Sequence, residues 1–153
     1  VSAAILATML LAVHGPRHHG CDDPAPIRVT VVVVLATTEN TGIDPKLVEL
    51  AKEVQKRDPT LIGFRLVSSE AKSIKVGDST TFPLVDKEEL KVKVEKPKDE
   101  NGRISLTIRP PLLGEATYAC TCEKFFPVVT PYQTKKGETL ILAVMARPCT
   151  AKK

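Results

Sequence analysis

The sequence predicts an α+β, mainly β fold, with one amphipathic helix packed on an antiparallel sheet or β-sandwich of about 7–9 short strands. Three observations carry that expectation. A valine-rich run, Val29–Val34, is β-branched at every position and reads as a strand. One segment alone, between Asp44 and Asp58, repeats its apolar residues at helical spacing. After Pro59 the chain breaks into short, largely alternating segments separated by Gly, Pro, Asn and Asp.

The elements follow in order. "IRVTVVVVLATTEN" (27–40) is apolar on both faces from Val31 to Leu35, so its strand is expected to be buried on both sides. In "TGIDPKLVELAKEVQKRDP", Asp44 is placed to cap the helix and Pro45 fits its first position. Leu47, Leu50, Ala51 and Val54 form the apolar stripe, and Asp58-Pro59 ends the helix. "LIGFRLV" (61–67) and "KSIKV" (72–76) read as two strands, and "TTFPLV" (80–85), with Pro83, as an edge strand. "ELKVKVEK" (89–96) and "RISLTIR" (103–109) alternate and are joined through Asn101-Gly102, a hairpin with one buried face. "EATYACTCE" (115–123), "FPVVTPYQT" (126–134) and "TLILAVMA" (139–146) complete the set. The last is apolar on both faces and therefore expected to be central.

The chain has 153 residues, 42% apolar and 26% charged, enough for one domain with a real core. With four Phe, two Tyr and no Trp, that core must be built from Val, Leu, Ile and Ala. The expected organisation is a signal-like apolar segment (1–13), a flexible junction (14–26), a single domain (27–149) and a tail (150–153). The run 3–13, "AAILATMLLAV", is too short to span a bilayer as a helix, which takes about 20 residues. It has the length of a signal h-region, although no Lys or Arg precedes it. The expected location is therefore outside the cytoplasm: periplasmic, envelope-associated or extracellular. Membrane contact would come only through an uncleaved N-terminal segment or lipidation at Cys21, where His18-His19-Gly20 puts a histidine in the place of a leucine-like residue.

The net charge is +4, and the densest charge run, 86–103, carries both signs equally. A nucleic-acid binder shows a one-sign patch with stacking aromatics, so nucleic acid is not an expected partner. The three histidines, His14, His18 and His19, lie in "HGPRHHGCDD" among Gly15, Pro16 and Gly20, at spacings that put no pair on one face of a regular element. A Ser–His or Cys–His mechanism within the domain therefore has no base. No glycine-rich phosphate loop is present. No catalytic residue and no cofactor is expected.

The cysteines leave three readings open. Cys120 and Cys122, two apart on a strand, share a face with Tyr118. A disulfide from Cys122, or Cys120, to Cys149 would close a loop of about 27 residues and stabilise by roughly 3–4 kcal/mol in the chain-entropy model. Alternatively Cys120, Cys122 and Cys149, with or without His14, His18 and His19, would bind a soft metal or do thiol-redox chemistry. The third reading is buried free thiols.

At "IDPKLVELAKEVQKRDPTLIGFRL", "VGDSTTFPLVD", "RISLTIRPP" and "GETLILAV" the chain resembles a family of small uncharacterised exported bacterial proteins, over about residues 29–146. The resemblance implies an exported helix-plus-strands domain and carries no catalytic residue and no ligand. The function expected is a non-enzymatic domain that binds a protein or an envelope component, by strand addition to an exposed edge. Pro83 and the lysine-rich strand 89–96 would be edge protection.

Overall fold

The valine-rich run forms the strand around which one layer of the molecule is laid. In the structure, a computed structural model that describes residues 24–149, β1 (Ile27–Thr37) is followed by a 3-10 turn (Pro45–Leu47) and α1 (Val48–Gln55). Then come β2 (Gly63–Ile74), β3 (Ser79–Pro83), β4 (Glu89–Lys96), β5 (Arg103–Arg109), β6 (Ala116–Thr121), β7 (Phe126–Gln133) and β8 (Thr139–Pro148). The expected mainly-β α+β class is what the chain adopts.

The strands form two four-stranded antiparallel sheets, ordered β2-β1-β8-β7 and β3-β4-β5-β6. Read around both sheets, the order is the chain order. β1 to β8 run in sequence, and β8 closes back on β1 through ten residue pairs, Ile27↔Pro148 to Ala36↔Thr139. The ring is split at two seams, β2/β3 and β6/β7, where the chain passes from one sheet to the other. Core-facing residues alternate along each strand: Val29, Val31, Val33 and Leu35 from β1, Leu140, Leu142 and Val144 from β8, and Leu90, Val92, Val94, Ile104, Leu106 and Ile108 from the second sheet. Each such side chain contributes about 1.5–3 kcal/mol through burial.

β1 is buried on its other face too. Val34 and Ala36, with Phe64 and Ile141, meet Leu47, Ala51 and Val54 of the helical segment. Asp44 Oδ1 accepts from Lys46 N at 2.9 Å, the expected cap. At the other end Arg57 N and Asp58 N both donate to Val54 O. The helix covers only one end of the sheet's outer face. Its lysine–glutamate pairs, Glu49–Lys52 and Glu53–Lys56, are solvent-exposed and add little.

Two expectations are corrected. Segments 61–67 and 72–76 are not separate strands; they belong to the one strand β2, Gly63–Ile74. A bulge leaves Val67 between the pairs Val33↔Ser68 and Val34↔Leu66, and an extra residue reverses the side-chain parity. Phe64 and Leu66 thus face the helix while Ile74 faces the core. The lysine-rich strand is not an edge either. β4 is paired on both sides, with β3 and β5, and its lysines lie on the solvent face. Pro83, by contrast, is at the end of an edge strand, as expected. The Asn101-Gly102 turn is in place, within a longer connection organised by Asp99. Asp99 Oδ1 accepts from the amides of Asn101 (2.9 Å) and Arg103 (2.8 Å), and Gly102 takes φ +72°.

Gly63, opposite Thr37 at the start of β2, is where the loop after β1 passes closest. A Cβ there would sit 2.7 Å from both Thr37 Cγ2 and Asn40 Oδ1, and closer still to the Asn40 carbonyl. Gly63→Ala is expected to destabilise by about 2–4 kcal/mol. Gly114→Ala, which meets nothing within 4 Å, should stay within about 0.5 kcal/mol of the parent. Urea unfolding of the two variants measures the difference.

Candidate functional site

The described ionisable side chains do not converge on a metal-binding group. Among the described residues there is no group of three or more His, Cys, Asp and Glu side chains close enough to share a metal ion. Three carboxylates, Glu49, Glu95 and Asp99, accept hydrogen bonds that favour the charged form. The Lys52 ammonium holds Glu49 below the usual range, the Thr107 hydroxyl does so for Glu95, and the Arg103 backbone N–H for Asp99. A general acid working near neutrality needs its carboxyl pushed the other way. Tyr132 donates its hydroxyl to Asp86 at 2.8 Å, and that bond raises its pKa.

The cysteines are placed by strand parity. Cys120, opposite Ile104 on β6, is buried in the core between the sheets, with its Sγ 3.7 Å from the Tyr118 carbonyl. Cys122 packs against the same core. Cys149 leaves β8 on the other face. Leu142, Val144 and Ala146 point into the core, so Arg147 and Cys149 point away from it. Its amide donates to the Pro26 carbonyl at 2.8 Å, and its Sγ lies 3.4 Å from Ser73 Oγ. Of the three readings the sequence leaves open, the disulfide from Cys122 or Cys120 to Cys149 is therefore not formed. All three described thiols are free, and the three do not gather as a ligand set. The other residues expected of a metal or thiol site, His14, His18 and His19, lie outside the described residues, as do Cys21 and the signal-like segment 1–13.

What does converge is apolar and exposed. Leu112 (74% exposed), Leu113, Tyr118 and Phe125 (48%) all lie between the end of β5 and the start of β7. Of four phenylalanines, Phe64 and Phe82 are buried, whereas Phe125 and Phe126 stand at the β6–β7 turn. Phe126 stacks on Tyr118 across the seam, ring centroids 5.2 Å apart. Two of the loop residues that display this flank, Leu112 and Glu123, have left-handed backbones (φ 56° and 64°). That conformation costs a non-glycine residue roughly 1 kcal/mol.

Two grooves meet at Phe125. One, of about 460 Å³, runs along the β6/β7 seam past Leu113, Tyr118, Pro127, Arg57 and Lys124. The other, of about 790 Å³, lies on the outer face of the first sheet where α1 stops covering it. Val32, Leu66 and Ala143 form its floor and Leu47 and Leu50 its wall. In the sequence, 110–114 and 124–125 are connections between expected strands and have no expected role. The available signal is compositional: Leu112-Leu113 is a large apolar pair in a loop, and Phe125 is an aromatic in a turn of an aromatic-poor chain.

Burial, and secondarily the neighbouring Cys122, pushes the Cys120 thiol up to about 12. Thiolate is the reactive form. Iodoacetamide at pH 8 is therefore expected to modify Cys122 and Cys149 at least tenfold faster than Cys120, read by peptide mass mapping of the folded chain. Equal rates at all three would contradict the burial.

Compared with protein-family models, with curated proteins and with solved structures, the chain matches none.

Proposed function

We propose that this chain is a small exported, non-enzymatic domain that binds another protein or an envelope component through the flank bearing Leu112, Leu113, Tyr118 and Phe125. One observation carries the reading: four of the seven exposed large apolar side chains, among them the two most exposed, Leu112 and Phe125, lie on this flank beside two grooves, with only Ile43, Val48 and Val67 elsewhere, while the described carboxylates and thiols form no metal-binding group. Contiguous exposed apolar surface marks interaction sites, and aromatic anchors at the centre of a contact carry most of its energy. Export is supported by the apolar run 3–13, which has the length of a signal h-region. The reading based on Cys120, Cys122 and Cys149 is not carried further, because Cys149 stands on the opposite face of the first sheet.

A photo-cross-linking residue in place of Phe125 is expected to trap a partner in intact cells. The same residue in place of Lys91, on the solvent face of β4, should not. Phe125→Asp should reduce partner recovery at least tenfold while leaving the unfolding midpoint nearly unchanged, since the side chain is half exposed. Equal recovery by Phe125→Asp and the parent would remove this flank as the contact.

A further inference from the structure

We infer that the open edge of β6 takes an extended, acidic segment of a partner protein as an added strand. The inference rests on the binding reading above and specifies its mode and its ligand chemistry.

Each sheet has two edges, and three of the four carry a device that discourages pairing. β2 has the bulge at Val67 and the half-buried charges Glu70 and Lys72 on its core-facing side. β3 ends in Pro83, and Lys72 Nζ donates to its Thr81 carbonyl at 2.6 Å. β7 contains Pro127 and Pro131. β6, "ATYACT", has no proline, no charge and no bulge.

The direction of its free groups follows from one hydrogen bond. Cys122 N donates to Gly102 O at 2.9 Å, and these two residues continue the β5–β6 register one step beyond its last pair, Arg103↔Thr121. In an antiparallel pair, hydrogen-bonded and non-bonded positions alternate. Cys120, Tyr118 and Ala116 therefore bond to β5, and Thr117, Ala119 and Thr121 turn their N–H and C=O groups outward. Apart from Thr121 O, which accepts from Lys124 N at 3.3 Å, no backbone hydrogen bond from a described residue outside the strand pair reaches these groups. A second strand can bond there without displacing the first.

The groove beside this edge sets the ligand's chemistry. Arg57 and Lys124 line it, the only lysine or arginine side chains among the described residues to do so, and none of its described walls is acidic. Neither is in an ion pair with a described residue. An added strand presents alternate side chains to the groove. One set would rest on Tyr118, Leu113 and Phe125, and a carboxylate in that set would meet Arg57 or Lys124. A second copy is the poorer occupant, because two-fold pairing of β6 with β6 brings like cations toward one another.

The test is selection of a phage-displayed library of random nine-residue peptides against the full chain. The expected binders carry Asp or Glu among alternating β-branched or aromatic residues. In their complexes the Thr117 and Ala119 amides should exchange with solvent at least tenfold more slowly. N-methylation of alternate peptide amides should weaken binding at least tenfold, a readout that needs no protein variant. Ala119→Pro, which removes an outward N–H and leaves the β5 bonds intact, should do the same. Arg57→Glu with Lys124→Glu should turn the selection toward basic peptides. Binders that tolerate N-methylation and leave β6 amides unprotected would overturn strand addition while the binding reading stands. The same holds if no peptide is enriched although position 125 still cross-links in cells; failure of both removes the flank itself. A concentration-dependent dimer with slowed β6 exchange would replace the acidic segment by a second copy.

Discussion

The structure depends on burying β1 from both sides. Its odd-numbered residues from Ile27 to Leu35 need the second sheet, and Val34 and Ala36 need the helix. Neither requirement can be met locally. The helix arrives directly after the strand and folds back over the outer face, anchored by Asp44 N to Phe64 O and by Phe64 N to Gly42 O (3.0 and 2.9 Å). The other flank of β1 must wait for β8, the last strand, more than a hundred residues on by the pairing of Ile27 with Pro148. All other strand pairs join neighbours in sequence, so β1–β8 is the one pairing with a large loop-closure cost. It is also the longest apolar pairing in the molecule, which is how that cost is offset.

Much of this was legible in the sequence, and the illegible parts share a cause. A strand buried on both faces announces itself by a continuous apolar run, so both β1 and β8 could be recognised as central. A strand with one buried face announces itself by alternation, so β4 and β5 were found with their core residues. Alternation describes faces, however, and carries no information about edges. Lys91 and Lys93 report a solvated face, which β4 has; whether its backbone is paired on both sides is a property of its neighbours. β2 was split in two because its bulge reverses parity at Val67 and because its middle, "SSEAK", is polar edge strand.

The same limit decided the cysteines. Cys120 and Cys122 could be assigned to a common face, because the β6 strand alternates. β8 is apolar on both faces, so its sequence gives no hint of which way residue 149 points. Only the contacts of Leu142, Val144 and Ala146 with the core fix the parity, and they place Cys149 beside Ser73 instead of Cys122. The exposed flank was illegible for a different reason. Loop residues have no periodicity, so Leu112, Leu113 and Phe125 could be told from core residues only by where their loops end.

The two seams of the ring are built from opposite chemistry, and that contrast separates the part of the molecule that is finished from the part that is open. At β2/β3, Lys72 crosses the gap, its Nζ on the Thr81 carbonyl and 5.1 Å from the centre of the Phe82 ring. Gly77 N bonds Val94 O at 2.7 Å beside it. Polar groups meet polar groups there, and the edge carbonyl is occupied. At β6/β7, the rings of Tyr118 and Phe126 stack, and Glu123 N bonds Ala146 O at 3.1 Å only at the turn. Aromatic stacking closes the core beneath without satisfying any backbone group of β6. Water must therefore solvate Thr117 and Ala119 next to exposed Leu113 and Phe125, an arrangement in which apolar surface and unpaired amides lie side by side. Burying the apolar surface alone would strand the amides, and pairing the amides alone would leave the apolar surface wet. A strand is the one simple ligand that does both at once, which is why the edge and the groove are read together as a single surface.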